Sequence, residues 1–263
     1  MDRLPHFRRE IRDFTAAARA VEHADSVPEL PACPGWSMTN VVMHLGWVHR
    51  YVTHIISNRL LDEPVITDLE FLHLPAERPG WPADPEGGPY LGPMPTGLLD
   101  WFTDGADTLT EIFATTDAGI RVSTWSAEQS VGFWLRMQMI EAGIHRWDAH
   151  TGLGAPAPIE PDLAVDMVEQ YFAVMVPARR GWGQAPEGRS EMFRFRATDV
   201  ERAWTVRFDG DTVAVTDEPA PHEFAGSAGD LALFLWHRID LDAGLVTGDP
   251  AAADTWLTLA PPR

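Results

Sequence analysis

SMTNVVMHLGWVHRYVTHI, Ser37 to Ile55, is the stretch on which the architecture turns. Val41, Leu45, Val48, Val52 and Ile55 recur in steps of four and three, the period of one helical face. Ser37 stands just before them and is a residue type that caps a helix N-terminus. At about 100° per residue, His44 falls within about 60° of the centre of that apolar face. His49 falls near its margin and His54 roughly opposite. The spacing therefore predicts that His44 points into whatever this helix packs against, while His54 stands in water.

Working outward, the first 150 residues read as four helices. The first covers Arg3 to about Ala24, before Pro28, and Pro31 and Pro34 then mark a loop. The third covers Gly97 to Thr115. The fourth starts near Ser126, where Ser126 and Gln129 have capping-box spacing, and runs to about His150, before Gly152 and Gly154. Four helices joined in this order predict an antiparallel bundle. The intervening segment from Leu61 to Met94 is long and rich in Pro and Gly, which fits either a lid or a packed arm.

After the linker Gly152–Pro161 the texture changes. One more helix, Pro161 to about Val176, precedes period-2 alternation at Phe193/Phe195 and at Trp204/Val206/Phe208. Asp209-Gly210 signals a hairpin into Val213 and Val215, and a short helix follows from Ser227 to Arg238. The expected fold class is α+β, with a helical bundle over residues 1–155 and a small α+β domain over 156–263.

The polar residues of the fourth helix carry the chemistry. Phe133, Trp134, Met137 and Ile144 define its inward arc, and Glu141 and His145 lie on the same side at i and i+4, where Cβ atoms are about 5–6 Å apart. Asp148 falls there too, whereas Arg136, Arg146 and His150 point away. A carboxylate inside a bundle is costly unless it is paired or bound to a metal. With His44 from the second helix, the set is two imidazoles and one carboxylate, that of an open zinc or iron site. The blander alternatives are a hydrogen-bonded core histidine at 44 and a simple intrahelical pair of Glu141 with His145. Asp148 fits either the orientation of His145 through its second ring nitrogen or a cap or arginine pairing. Cys33, the only cysteine, reads as a small residue in a turn, with no flanking cation to activate it.

Composition narrows the function. A net charge of −19, from 39 acidic and 20 basic residues, argues against nucleic acid and against an anionic membrane surface. Every basic residue is Arg, so Schiff-base and P-loop lysine chemistry are excluded. One cysteine rules out an intramolecular disulfide and a multi-cysteine zinc site. The start, MDRLPHFRREIRDF, lacks the apolar core of a signal peptide, and no run reaches the ~18 apolar residues of a membrane span, so a cytoplasmic protein is expected.

CPGWSMTNVVMHLGWVHRYV (Cys33–Val52) resembles the Pro-x-Trp…Val-x-x-His-Leu signature of the mycothiol-dependent maleylpyruvate isomerase family. RMQMIEAGIHRWDAHTG (Arg136–Gly152) resembles its second signature, and GDLALFLWHR (Gly229–Arg238) the closing motif of its smaller domain. The resemblance implies a DinB-like four-helix bundle followed by a sterol-carrier-like α/β domain that closes over the site. It implies His44, Glu141 and His145 as ligands of a divalent metal, usually zinc, and Arg238 as an active-site arginine; Asp148 is the other catalytic candidate. Mycothiol, an actinobacterial low-molecular-weight thiol, would be the cosubstrate, adding to an electrophilic small molecule in a cis–trans isomerisation or an S-transfer. Two other classes compete: a metal-dependent hydrolase with Asp148 as base, and a non-catalytic small-molecule binding protein.

Overall fold

Helix capping and apolar spacing account for most of the first half of the chain. The computed structural model describes residues 1–64, 69–182 and 185–261, and the chain divides into two units, Met1–Ala157 and Pro158–Arg263. Helix α1 (Arg3–Arg19) is capped by Asp2, whose carboxylate accepts from the Leu4 N–H at 3.3 Å. It ends before the expected Ala24 because Val21 N–H bonds Ala18 O and Glu22 N–H bonds Arg19 O, closing tighter turns there. Helix α2 (Met38–Asn58) opens after Ser37 as its spacing predicts.

Helices α3 (Leu98–Thr115) and α4 (Val131–Gly152) complete the bundle: α1 lies on α4 and α2 on α3, with α1–α3 and α2–α4 contacts closing it. Phe7, Phe14, Phe102 and Phe133 are fully buried in its core. Helix α2 approaches α3 so closely at Gly46 that a Cβ there would run into the Trp101 ring. The start of α4 differs from expectation. Ser130 is its cap, with Oγ accepting from Phe133 N–H at 3.0 Å. The Gln129 amide instead donates to Ser126 O (2.7 Å) and Thr124 O (2.9 Å), which folds Thr124–Gln129 into a turn.

Much of the long Pro/Gly-rich segment is fastened to the bundle. Asn40 Nδ2 donates to Pro85 O and Gly88 O, both at 2.7 Å, and its Oδ1 accepts from Tyr90 N–H at 3.1 Å. The Ser37 hydroxyl donates to Tyr90 O (2.8 Å), and Trp81 Nε1 to Thr96 O (3.0 Å). Residues 81–90 are therefore a packed arm, with residues 85–90 held by polar atoms of the α2 N-terminus and Trp81 by Thr96. Residues 65–68 of the expected lid segment lie outside the described residues.

In the second unit, α5 (Pro161–Gln170) runs through a π-helical turn, Tyr171–Met175, into α6 (Val176–Trp182). Strands β1 (Gly188–Ala197), β2 (Ala203–Gly210), β3 (Thr212–Thr216) and β4 (His222–Gly226) form one sheet in the order β3-β2-β1-β4. The β1–β2 and β2–β3 pairs are antiparallel and β1–β4 is parallel. Gly210 turns the β2–β3 hairpin at φ +59°. The inward alternation of β1 and β2 puts Phe193, Phe195 and Phe208 against Trp256 of α8 (Pro250–Leu259). Helix α7 (Ala228–Leu235), capped by Ser227, packs on α5. The architecture is α+β. Strand β4 and helix α8 escape the periodicity reading because β4 has only five residues and the buried face of α8 is half alanine, Ala252 and Ala253 beside Trp256 and Leu259.

Candidate metal centre

The site begins with a turn. Cys33-Pro34-Gly35-Trp36 closes with Trp36 N–H on Cys33 O at 2.9 Å, and Gly35 at φ +83° supplies the left-handed residue that a type II turn needs after proline. This turn places both Cys33 and Trp36 beside α4. The Trp36 ring lies 5.0 Å from the His44 ring and 6.0 Å from the His145 ring, nearly parallel to the latter at 15°.

His44 from α2 and Glu141 and His145 from α4 meet in front of that indole. Glu141 Oε2 is 3.4 Å from His145 Nε2 and 3.7 Å from His44 Nε2. One ligand atom from each of the three lies within 4.8 Å of the others. Two ligands about 2.0–2.1 Å from a tetrahedral zinc are themselves about 3.3–3.5 Å apart, so these separations suit a shared ion. Access is one-sided. The side chains of His44 and Glu141 are 21% and 28% exposed, while that of His145 is 6% and that of Asp148 is 0%.

The sealed side is built around Asp148. Its Oδ2 accepts from His145 Nδ1 at 2.9 Å and from Cys33 Sγ–H at 3.2 Å. With Nδ1 donating to a carboxylate, the proton of a neutral His145 is on Nδ1 and Nε2 presents its lone pair toward Glu141. That is the tautomer a metal requires.

The electrostatics call for a cation at this place. Burial works to raise the Glu141 carboxyl, but hydrogen bonds from His145 and His44 overcome it and hold the group well below the usual carboxylate range. Burial likewise works to lower His145, yet Asp148, Cys33 and Glu141 together hold it well above its ordinary value. His44 is pushed down, first by burial and then by the charge of His145 against the pull of Glu141, so it is neutral and able to ligate. Two carboxylates around one imidazole thus create a charge deficit, met either by a proton on His145 or by a metal ion. The donor set fits a divalent metal of the zinc type.

Of the residues singled out from the sequence, His44, Glu141, His145 and Asp148 come together, and Cys33 joins them. Cys33 does occupy a turn, but its thiol reaches Asp148 across 115 positions of sequence, which no local signal could reveal. Arg238 lies in the second unit, directly after α7, where its Nη1 donates to Trp236 O at 3.0 Å.

Two side chains, His49 and His54, differ from the helical-wheel reading, and a third, Arg146, is more enclosed than a wheel shows. His49 is not marginal but fully buried, edge-on to Phe7 and tilted against Phe102, and burial pushes its imidazole down to about 3. His54 is not simply solvated; its ring stacks on Phe71 at 4.9 Å. Arg146 does point away from the site, yet it is buried and paired with Glu10 of α1, because α4 is enclosed on nearly all sides.

The family model described as the mycothiol maleylpyruvate isomerase N-terminal domain matches residues 7–150, a span that contains His44, Glu141 and His145. Among solved structures, a crystal structure of mycothiol-dependent maleylpyruvate isomerase is similar at TM-score 0.59 and 14% identity, covering 94% of this chain and 92% of that one. A mutant of a mycothiol-dependent maleylpyruvate isomerase, with one histidine replaced by alanine, is similar at TM-score 0.60 and 13% identity with the same coverage. At these identities the likeness is one of fold. No curated protein matches the sequence.

Proposed function

Since the chain belongs to the mycothiol maleylpyruvate isomerase N-terminal domain family, we propose that it is a metal-dependent enzyme that uses mycothiol against an electrophilic small molecule. The observation carrying this reading is the convergence of His44 Nε2, Glu141 Oε2 and His145 Nε2, with the second nitrogen of His145 bonded to Asp148. These three atoms would hold the metal, with zinc the best match to the donor set. When bound, such a metal supplies an open position at which a thiol is held as the more nucleophilic thiolate.

The chain's own residues do the remaining work. Asp148 keeps the His145 ring in one tautomer and one orientation. Trp36 walls the site with an apolar face, which leaves the exposed edges of His44 and Glu141 as the side where a guest enters. Sulfur addition to an activated carbon–carbon double bond turns that bond into a single bond about which the substrate rotates. Expulsion of the sulfur then completes a cis–trans isomerisation, as with maleylpyruvate, whereas its retention makes the reaction an S-transfer. Arg238 is assigned to a substrate carboxylate, which a guanidinium binds in two parallel hydrogen bonds. No helix among the described residues is long and apolar enough to cross a membrane, and we assign the protein to the cytoplasm.

One observation favours the thiol reading over hydrolysis. A hydrolase needs a base at the open side of the metal, but Asp148 is fully buried on the opposite side and its Oδ2 serves His145 and Cys33.

The test is elemental analysis of the purified protein, followed by thermal melts with mycothiol before and after chelation. A ligand that binds only the native state raises apparent stability. The expected results are stoichiometric metal and a mycothiol shift that disappears on chelation, both lost in His44→Ala. Stoichiometric metal and full activity in His44→Ala would overturn the ligand assignment. Thiol-independent hydrolysis would overturn the reaction class.

A further inference from the structure

Within the second unit, the Arg179 guanidinium has no carboxylate among the described residues, although acids outnumber bases 39 to 20 in the chain, and unlike Arg180, which bonds three backbone carbonyls, it has no carbonyl to take its place. Arg194, Arg196 and Arg207 of the same unit each pair with an acidic side chain. Arg179 of α6 pairs with none among the described residues. Its hydrogen bond runs from Nη1 to the Tyr171 hydroxyl at 3.4 Å, and its Nε is buried without an acceptor. The guanidinium carbon lies 5.4 Å from the centre of the Tyr171 ring and 5.8 Å from that of Trp236. A guanidinium has five N–H donors in a rigid fork, so most of the capacity of this one is unused.

The groups around it are arranged in a directed chain. Tyr171 opens the π-helical turn Tyr171–Met175, a widening of the helix that recurs at functional sites. A guanidinium cannot accept, so the Tyr171 oxygen accepts from Arg179. Its own proton then goes to His237 Nε2, 3.1 Å away. The His237 proton is left on Nδ1, a further donor. His237 takes this place at φ +60°, in the left-handed region that non-glycine residues seldom occupy. Burial first, then the charges of Arg179 and Arg238, push its imidazole down to about 4, so it is neutral at physiological pH.

We infer that Arg179, Tyr171 and His237 form an anion-binding site in the second unit that takes the carboxylate of a small organic acid. A planar carboxylate matches the fork in two parallel hydrogen bonds, which a lone ammonium could not offer. The aromatic rings hold the guanidinium in place before the ligand arrives, and the strained His237 backbone keeps the imidazole at its post. The inference goes beyond the metal-centre reading and does not depend on it.

The test uses the full chain stripped of metal, so that its outcome is separate from any thiol or metal chemistry. Maleate, a simple dicarboxylate, is titrated by calorimetry and by tryptophan fluorescence, with Trp236 as the nearby reporter. Saturable binding is expected, weakened about tenfold or more by Arg179→Gln and less by Arg179→Lys. His237→Gly should also weaken it while leaving the melting temperature unchanged or raised. An Arg179→Gln protein that melts like the parent and binds maleate equally well would overturn the proposal. So would binding of inorganic phosphate without binding of maleate. Should Arg179→Gln fail to fold, Tyr171→Phe carries the test, because it keeps the ring but unlinks Nη1 from His237. Maleate affinity unchanged in both Tyr171→Phe and His237→Gly would refute the site.

Discussion

Replacing Asp148 by Asn changes a charge at the candidate centre without changing a shape. Asp148 is fully buried, and its Oδ2 accepts from His145 Nδ1 at 2.9 Å and Cys33 Sγ at 3.2 Å. Asparagine keeps an acceptor in that position, so packing is preserved and only the negative charge is lost. A hydrogen bond to a charged group contributes about 1.5–3 kcal/mol, against about 1 kcal/mol for a neutral one. The difference of roughly 1–2 kcal/mol falls on His145, loosening its ring and lowering the basicity of Nε2. If Nε2 is a metal ligand, the metal dissociation constant should rise by about five- to thirtyfold.

Proton competition must be removed from that comparison. In the metal-free protein His145 is held well above its ordinary value, burial opposing and Asp148 leading the groups that raise it. Losing the Asp148 charge lowers it, which at neutral pH would help the metal and mask the effect. The assay is therefore competition with a chromogenic zinc chelator in alkaline buffer, where His145 is neutral in both proteins, with melts of the metal-free forms as a folding control. Zinc affinity unchanged or tightened by Asp148→Asn under those conditions would refute the anchoring role, and with it the reading of His145 as an oriented ligand.

Three further outcomes follow from the same geometry. Glu10→Gln removes the buried carboxylate that pairs with both Arg146 and Arg9 and should cost about 1–3 kcal/mol in urea unfolding; an unchanged midpoint would show that the Glu10–Arg146 pair does not tie α1 to α4. Gly46→Ala drives a methyl into the Trp101 ring and should lower stability by about 1–3 kcal/mol in a thermal melt, whereas an unchanged melting temperature would contradict the close α2–α3 approach. For the chelated protein, the raised His145 contributes stability that is complete below its ordinary value of about 6.5 and is lost as pH rises through the higher folded value, while the lowered Glu141 contributes stability complete above about 4.3 and lost on acidification. Because the lowered His44, His49 and His237 also cost stability as pH falls below about 6.5, the His145 contribution is read as a difference: relative to His145→Gln, the urea midpoint of the chelated parent should decline as pH rises above about 6.5, and parallel profiles for the two proteins would count against the coupled site.

Legibility in the sequence followed the range of the forces involved. The face of α2 that carries His44, the Glu141/His145 register on α4 and the hairpin at Asp209-Gly210 arise from backbone geometry and neighbours within a few positions, so periodicity and turn chemistry disclose them. The C-terminal end of α1 and the start of α4 did not read correctly: α1 closes in tighter turns after Arg19, and the capping choice between Ser126 and Ser130 was settled by the competing bonds of Gln129 with Thr124 and Ser126. The surroundings of His49 were misjudged, and the burial of Arg146 went unread, for a related reason. A helical wheel assigns one buried face, whereas α4 is enclosed on nearly all sides and α1 supplies Glu10 to neutralise an arginine there.

By itself, then, the amino-acid order determined the α+β class, the four bundle helices and the face on which His44, Glu141 and His145 would lie, since these depend on local torsions and on side-chain period. Tertiary structure alone decided that the Cys33 thiol would share the Asp148 carboxylate with His145, that residues 85–90 would be pinned by Asn40, and that Arg179 would lie beside two aromatic rings with no acid among the described residues. Those contacts join residues far apart in the chain, and their strength comes from the exclusion of water on burial, which sequence spacing cannot express.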